Sequence, residues 1–211
     1  MNAAAIRGYV ETDRAAVNAV ALAAFAQYAG DYEDWPTFSA GIARMADLAA
    51  DGDLLVAERG GVVAGAVVHV GPGRPRSAIF PDDWSVIRML VVDPAARGGG
   101  VGRALVAATL ERARRAGAPA VGLHTSPIMA TALRLYESIG FVREHDLPSN
   151  RGVPYARYTL PAAGIAAALA RLAAPGTPVS SIKNVVPAQA GAQVVRATEV
   201  QAGLGFPPAR E

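Results

Sequence analysis

Apolar residues follow two rhythms along this chain. Short continuous runs at Ala5 to Val10, Leu54 to Ala57, Val62 to Val70, Val86 to Val92, Ala120 to Thr125, Phe141 to Glu144 and Tyr155 to Leu160 predict strands. Between them the spacing changes to three and four. Val17, Val20, Ala21, Ala24 and Tyr28 share one helical face, with Thr12 placed to cap it. Ile42, Met45 and Leu48 predict a second helix over about Thr37 to Ala50. Val101, Ala104, Leu105 and Ala108 predict a third, over Arg103 to Ala116, and Met129, Ala132, Leu133 and Tyr136 a fourth, ending at Ser138. The order is β, α, α, β, β, β, α, β, α, β, β. It mixes hairpin neighbours with helical crossovers, so it predicts one mixed sheet with helices on both faces.

Turn residues punctuate this order. Arg59-Gly60-Gly61 is hairpin chemistry, because paired glycines accept positive φ. Gly117 and Pro119 end the third helix, Ser126-Pro127 supplies an N-cap and first position for the fourth, and Gly140 stops it. Gly71 to Asp83 reads as an irregular loop, and Pro148 to Pro154 as the loop between the last two strands. Beyond residue 161 the character shifts. Ala163 to Ala174 is an alanine-rich helix candidate, broken by Pro175-Gly176-Thr177-Pro178. The remainder to Glu211 lacks sustained periodicity and reads as a largely disordered extension. The division is a domain over 1–161 and an extension over 162–211. The extension is open to two readings, an addition without a catalytic part or a helix covering a sheet edge.

Composition narrows the class. With 211 residues, 52% of them apolar, the chain can bury one full core. The 20 basic and 18 acidic side chains leave a net charge of +2, too little for a nucleic-acid surface. The absence of cysteine excludes disulfides, thiolate metal sites and a cysteine nucleophile, and no metal site is expected. The N-terminal residues lack the apolar core of a secretory signal. No apolar run approaches the ~20 residues of a membrane helix, and the expectation is a cytoplasmic protein without membrane contact.

The chemistry concentrates at Val86 to Gly102. An apolar strand, interrupted only by Arg88, ends at Asp93-Pro94 and leads through Arg97-Gly98-Gly99-Gly100-Val101-Gly102 into a helix. The first N–H groups of a helix have no internal partner, and glycine turns present backbone N–H groups as a concave anion nest. Arg97 and Arg103 add positive charge at the rim. Such a loop suits a phosphate or diphosphate. A Walker loop is excluded because Gly102 is followed by Arg103-Ala104, and a dinucleotide fingerprint fails because its last glycine would fall on Arg103 or Leu105.

What remains, Arg97-x-x-Gly100-x-Gly102 after Leu90-Val91-Val92-Asp93-Pro94, resembles the acyl-CoA diphosphate loop of the GCN5-related N-acetyltransferases. Leu135-Tyr136-Glu137-Ser138-Ile139-Gly140-Phe141 is similar to that family's second conserved block. The resemblance covers roughly residues 5 to 160. It implies a single mixed, mostly antiparallel central sheet with helices on both faces, and acetyl-CoA as co-substrate. It also implies that the backbone of Leu90, Val91 and Val92 pairs with the pantetheine arm. The N–H groups of Arg97, Gly98, Gly99, Gly100, Val101, Gly102 and Arg103 would hold the diphosphate. Tyr136 corresponds to the tyrosine beside the thioester sulfur, where a phenol can return a proton to the leaving thiolate. Helical spacing alone makes Tyr136 a core aromatic.

Two positions depart from the family pattern. Met129 stands where many relatives carry an asparagine seven residues before the tyrosine, and Val86 where many carry a glutamate. The base is unassigned, with Asp82, Asp83 and His124 the nearest by order. Tyr32, Trp35 and Phe38 among Asp31, Glu33 and Asp34 suit either a cationic amine or a surface loop pinned by aromatics. The expected function is transfer of an acetyl group to an amine of a small molecule or protein by direct attack. The alternative is a non-catalytic acyl-CoA sensor. Edge-strand pairing would allow a homodimer.

Overall fold

A computed structural model of the chain describes residues 4–174. Seven strands form one sheet: β1 (Ala5–Gly8), β2 (Asp53–Arg59), β3 (Val62–Val70), β4 (Ser85–Val92), β5 (Ala120–Thr125), β6 (Val142–Asn150) and β7 (Val153–Pro161). Their order is β1-β2-β3-β4-β5-β7-β6, and every neighbouring pair is antiparallel except β4 and β5. Helices α1 (Arg14–Phe25), α2 (Trp35–Ile42), α3 (Val101–Arg115), α4 (Ala130–Ile139) and α5 (Ala162–Ala173) complete the fold. The predicted order and the mixed sheet are both present. Among the described residues no helix is long and apolar enough to cross a membrane.

Strand alternation sorts the core into two layers. Leu55, Ala57, Val67, Ile87, Val121 and Leu123 pack against α3, α4 and α5. Leu54, Val56, Ala66, Val68, Val70 and Val86 pack against α1 and α2. The β2–β3 hairpin turns through Gly60 and Gly61, both at positive φ (59° and 81°). α3 lies close over β3, where Gly65 leaves room: a Cβ there would fall 2.7 Å from the Val91 carbonyl oxygen and 2.9 Å from Val101 Cγ1. The helix expected over Ala163–Ala174 is α5, whose Ile165, Ala168 and Leu172 join the α3 layer. The extension beyond it lies outside the described residues.

Local structure departs from the expectations at three places. Thr12 does not cap α1. Asp13 stands at the N-cap position without capping a helix N–H; its carboxylate accepts from the Val10 N–H at 3.0 Å and from Arg7 Nη1 at 2.6 Å. The second predicted helix is two pieces, α2 and a 3-10 turn over Met45–Ala50. The Ala46 N–H there donates to Asn18 Oδ1 at 2.9 Å instead of continuing the helical ladder. Finally, Pro148 to Pro154 is not a loop. β6 runs to Asn150, and Arg151 and Gly152, both at positive φ, turn directly into β7. Pro148 is tolerated because β6 is the sheet edge and its register slips between Leu147 and Asn150.

The feature that positions the site is the parting of β4 from β5. They pair only at Ser85↔Val121 and Val86↔Gly122. Beyond that point β4 carries a bulge, between its pairings of Arg88 with Val68 and Val91 with Ala66. Met89 occupies the extra position with φ 55°. A bulge bends the strand that carries it and raises its twist. Residues 87–92 therefore stay on β3 and leave their other edge without a ladder partner among the described residues. Just before the parting, buried His69 Nε2 lies 3.1 Å from Ser85 Oγ and ties β3 to β4.

Two expectations follow. Gly65→Ala forces α3 off the sheet and lowers stability by about 1–3 kcal/mol, read as a shift of the thermal or urea midpoint. Burial lowers the pKa of His69 in the fold, so its contribution is complete above the unfolded value of about 6.5 and declines as pH falls below it. Urea midpoints measured from pH 8 to pH 4 should fall on the acid side, with a shallower slope in His69→Gln.

Candidate active site

The divergence of β4 from β5 opens a cleft with a cavity of about 80 Å³. β4 contributes Ile87, Arg88, Met89 and Leu90 to its wall, and β5 contributes Leu123, His124 and Thr125. α4 and the turn before it add Met129, Ala132 and Tyr136. Phe25, Phe38, Asn150 and Tyr155 close the far side. Leu90 and Tyr136, far apart in sequence, thus line one cavity, while Val91 is buried in the α1 layer and Val92 packs toward α3.

The glycine loop follows β4 directly. Asp93 accepts from the Ala95 N–H at 2.8 Å and starts a single 3-10 turn over Pro94–Ala96. The chain then passes through Gly98 (φ 75°) and Gly100 (φ 79°) into α3. Both conformations favour glycine. Among the described residues the N–H groups of Gly98, Gly99 and Gly100 have no hydrogen-bond partner. Those of Val101, Gly102 and Arg103 lie in the first turn of α3, where no i−4 carbonyl is available; the ladder begins with Ala104 N–H donating to Gly100 O at 3.0 Å. Six consecutive donors therefore stand at the positive end of a helix of 15 residues. Gly102 lies between Val92 and Leu135, which sets this helix end beside the residue preceding Tyr136.

The arginines around the loop act differently from the sequence expectation of a charged rim. Arg103 Nη2 donates to the carbonyls of Leu172 (3.0 Å) and Ala174 (3.2 Å), closing the C-terminus of α5. Arg97 reaches the end of α1, donating to Ala24 O and to Gln27 Oε1, both at 3.2 Å. The loop is braced from below by Arg59, whose Nη2 donates to Gly99 O at 2.7 Å. A Cβ on Gly99 would stand 2.4 Å from that nitrogen and push the guanidinium off the Gly99 carbonyl. Nothing in the spacing of the sequence pointed to Arg59, which lies 40 positions away.

Tyr136 is buried, with its ring edge-on to Phe141 at 5.6 Å. Burial raises its pKa, which keeps the phenol protonated. Its hydroxyl has no hydrogen-bond partner among the described residues, and its ring belongs to both the core and the cavity wall. His124 is pushed the other way: burial, and then the charge of Arg88, lower its pKa to about 4. The imidazole is neutral, and its buried Nδ1 has no partner among the described residues. Its ring lies 5.7 Å from Tyr155, whose hydroxyl meets that of Tyr32 at 2.5 Å. Asp82 and Asp83 are exposed and do not line the cavity.

Of the aromatic and acidic stretch 31–38, only Phe38 reaches the cavity wall. Asp34 caps α2 through the Thr37 N–H and pairs with Arg151 at 2.6 Å, and Glu33 packs on Gly152. Arg88 lines the cavity and was missed as a site residue, although its sequence signal was plain: it is the one charged residue in the run 86–92. Its Nη1 donates to Asp51 Oδ2 at 3.3 Å.

Comparison with known proteins agrees with this geometry. Residues 17–141 match the model of the Acetyltransferase (GNAT) family. A mycothiol acetyltransferase of Thermomonospora curvata is 43% identical over 65 residues, which cover 31% of this chain and 22% of that protein. The chain therefore spans only about a fifth of the length of that curated relative. A GCN5-related N-acetyltransferase from Rhodopseudomonas palustris shares the fold with a TM-score of 0.60 at 24% identity, over 76% of this chain and 97% of the other. A putative acetyltransferase from Salmonella typhimurium, solved with acetyl-CoA, shares it with a TM-score of 0.55 at 22% identity, over 76% and 95%. The family match takes in more than half of the chain, from α1 to the start of β6, and with the parted strands and the glycine loop inside it this protein belongs to the GNAT acetyltransferase family.

Proposed function

We propose that this protein transfers the acetyl group of acetyl-CoA to a primary amine, the amine nitrogen attacking the thioester directly. One arrangement carries the reading: among the described residues the β4 edge at Leu90–Val92 has no ladder partner and the six N–H groups over residues 98–103 have no acceptor, while Tyr136 shares the cavity with Leu90 and its neighbour Leu135 lies near Gly102. The parts suit coenzyme A. Its diphosphate calls for a concave run of N–H donors at a helix start. A Cβ at Gly98 or Gly100 would meet nothing within 4 Å, so the loop is open to a ligand there. The amides of its pantetheine arm call for a strand edge, which the backbone of Leu90, Val91 and Val92 offers. When bound, coenzyme A supplies an activated acyl thioester.

The chain's own residues do the rest. The N–H groups of Gly98 to Arg103 hold the diphosphate, that of Arg97, expected among them, being donated to the Pro94 carbonyl at 3.4 Å, and the β4 edge fixes the direction of the arm. Tyr136 donates its phenolic proton to the departing sulfur, a role its raised pKa preserves at neutral and alkaline pH. His124, neutral and on the cavity wall, stands beside the incoming amine, while its Nδ1 is buried away from it. An imidazole of such low basicity does not keep the amine's proton, which passes to water. Direct transfer agrees with a chain that has no cysteine to carry an acyl group. A second reading, a non-catalytic acyl-CoA sensor, is favoured by Met129 and Val86 standing where relatives carry asparagine and glutamate. Release of coenzyme A across a panel of amines, run beside calorimetric binding of acetyl-CoA, separates the two: binding without turnover on any amine identifies the sensor.

Tyr136→Phe should lower kcat by about 100-fold, within the range of general-acid effects, while the Kd for acetyl-CoA stays within about twofold, since the loop N–H groups and the β4 edge carry its binding in this reading. Turnover equal to the wild type would remove Tyr136 from the mechanism. Because the phenol's pKa lies above its ordinary value of about 10, kcat should show no alkaline decline below about pH 10. Gly100→Glu strains a positive-φ position and sets a carboxylate against the nest. It should weaken acetyl-CoA binding by at least about tenfold, read by calorimetry, a loss of about 1.4 kcal/mol or more.

A further inference from the structure

We infer that the acceptor is a small α-amino acid with an apolar side chain, its carboxylate bound by Arg88 and its amino group presented to the thioester beside His124 and Tyr136. The inference rests on the acetyltransferase reading and names the substrate class for the same site.

The lining of the cavity carries it. Among the described residues Arg88 is the only charged side chain on the cavity wall. The acidic residues that would greet a cationic amine are elsewhere: Asp34 is bound to Arg151, Glu33 lies on Gly152, and neither lines the cavity. A bare ammonium would therefore meet no acidic side chain on that wall to receive it. A carboxylate next to the amine would meet Arg88 instead. Arg88 is suited to take it. Its side chain is only 15% exposed, and a desolvated guanidinium binds carboxylate more strongly than one in water. Asp51 accepts from Nη1 at 3.3 Å and does not line the cavity. A guanidinium presents five donors in a planar fork, so the same group can serve Asp51 behind the wall and a second carboxylate within it.

Position and size agree. Arg88 precedes the bulge at Met89, and Leu90 follows it, so a carboxylate on Arg88 places the adjacent nitrogen near the β4 edge where the acyl group would lie. Phe25, Phe38, Met89 and Met129 also line the cavity, which suits an aliphatic or thioether side chain. The cavity, about 80 Å³ and mostly apolar in its lining, favours a small acceptor. In the reaction the N–C bond to the acetyl carbon forms as the C–S bond breaks; one proton leaves nitrogen and one ends on sulfur.

The test measures release of coenzyme A with L-leucine, L-leucinamide and 3-methylbutylamine, which share one side chain and differ at the carboxylate. In the wild type kcat/KM for leucine should exceed that for the other two by about 30-fold or more, the scale of losing one partner of a buried charge pair. Arg88→Met should remove the difference by raising KM for leucine, with the Kd for acetyl-CoA unchanged, and Arg88→Lys should restore part of it. Equal use of the three compounds by the wild type, which needs no variant to fold, overturns the inference. So does an Arg88→Met variant that slows all three alike. Turnover of other amines but not of leucine overturns the substrate class and leaves the transferase reading standing. Binding of acetyl-CoA with no amine acetylated overturns the transferase reading and this one with it.

Discussion

A backbone edge held open inside a protein is costly, because each unpaired N–H and C=O in a buried place forgoes a hydrogen bond. The parting of β4 from β5 creates such an edge in the middle of a seven-stranded sheet. Several features of the molecule act to maintain it. The bulge at Met89 bends β4 toward β3; the hydrogen bond from His69 to Ser85 pins the two strands where they still touch β5. Phe80 and Trp84 press on Gly122, at the last paired position: a Cβ there would lie 2.6 Å from Phe80 Cδ1 and 3.1 Å from Trp84 Cε3. Below that wedge the sheet is continuous, and above it the strands cannot rejoin. The fold thereby leaves main-chain donors and acceptors of β4 without a strand partner among the described residues, while the aliphatic core packs on both faces.

The glycine loop exploits the same direction of travel. The chain leaves the open edge of β4, turns through two left-handed glycines and enters α3, whose first turn lies beside Leu135, the residue before Tyr136. Backbone N–H groups supply the positive potential, and the nearby arginine side chains supply rigidity. Arg59 holds the Gly99 carbonyl from one side, Arg97 ties the loop to the end of α1, and Arg103 ties α3 to α5. A nest fixed in this way offers a phosphate donors that need little reordering on binding, which is how preorganisation contributes to affinity.

The sequence made much of this legible because the signals were local. Periodicity located six of the seven strands to within a few residues, and the Gly60-Gly61 pair announced its hairpin. The glycine loop was readable because positive φ selects glycine at Gly98 and Gly100. The failures involve long-range partners. The second helix breaks because Asn18, 28 positions away, claims the Ala46 N–H. Pro148 suggested a loop because nothing local reveals that β6 is an edge strand. The strand split itself is a property of two strands that neither sequence segment encodes alone. Among the site residues, Tyr136 carried a recognisable neighbourhood, whereas Arg59 is recruited by topology. Arg88 was visible as an anomaly in an apolar run but could be given a cavity only once β4 and β5 were seen to separate.

One tie described above has a consequence for how the chain can be shortened. Arg103 stands in the first turn of α3 and closes the carbonyl end of α5, whose Ile165, Ala168 and Leu172 complete the layer over α3. Trimming the protein to the end of its last strand would strip an apolar stripe from the outside of α3. It would also release a guanidinium only three residues from Gly100, free to swing toward the very donors it now leaves uncovered. The alanine-rich helix thus ties down the start of α3 from beyond the last strand, and the packed unit extends at least to Ala174.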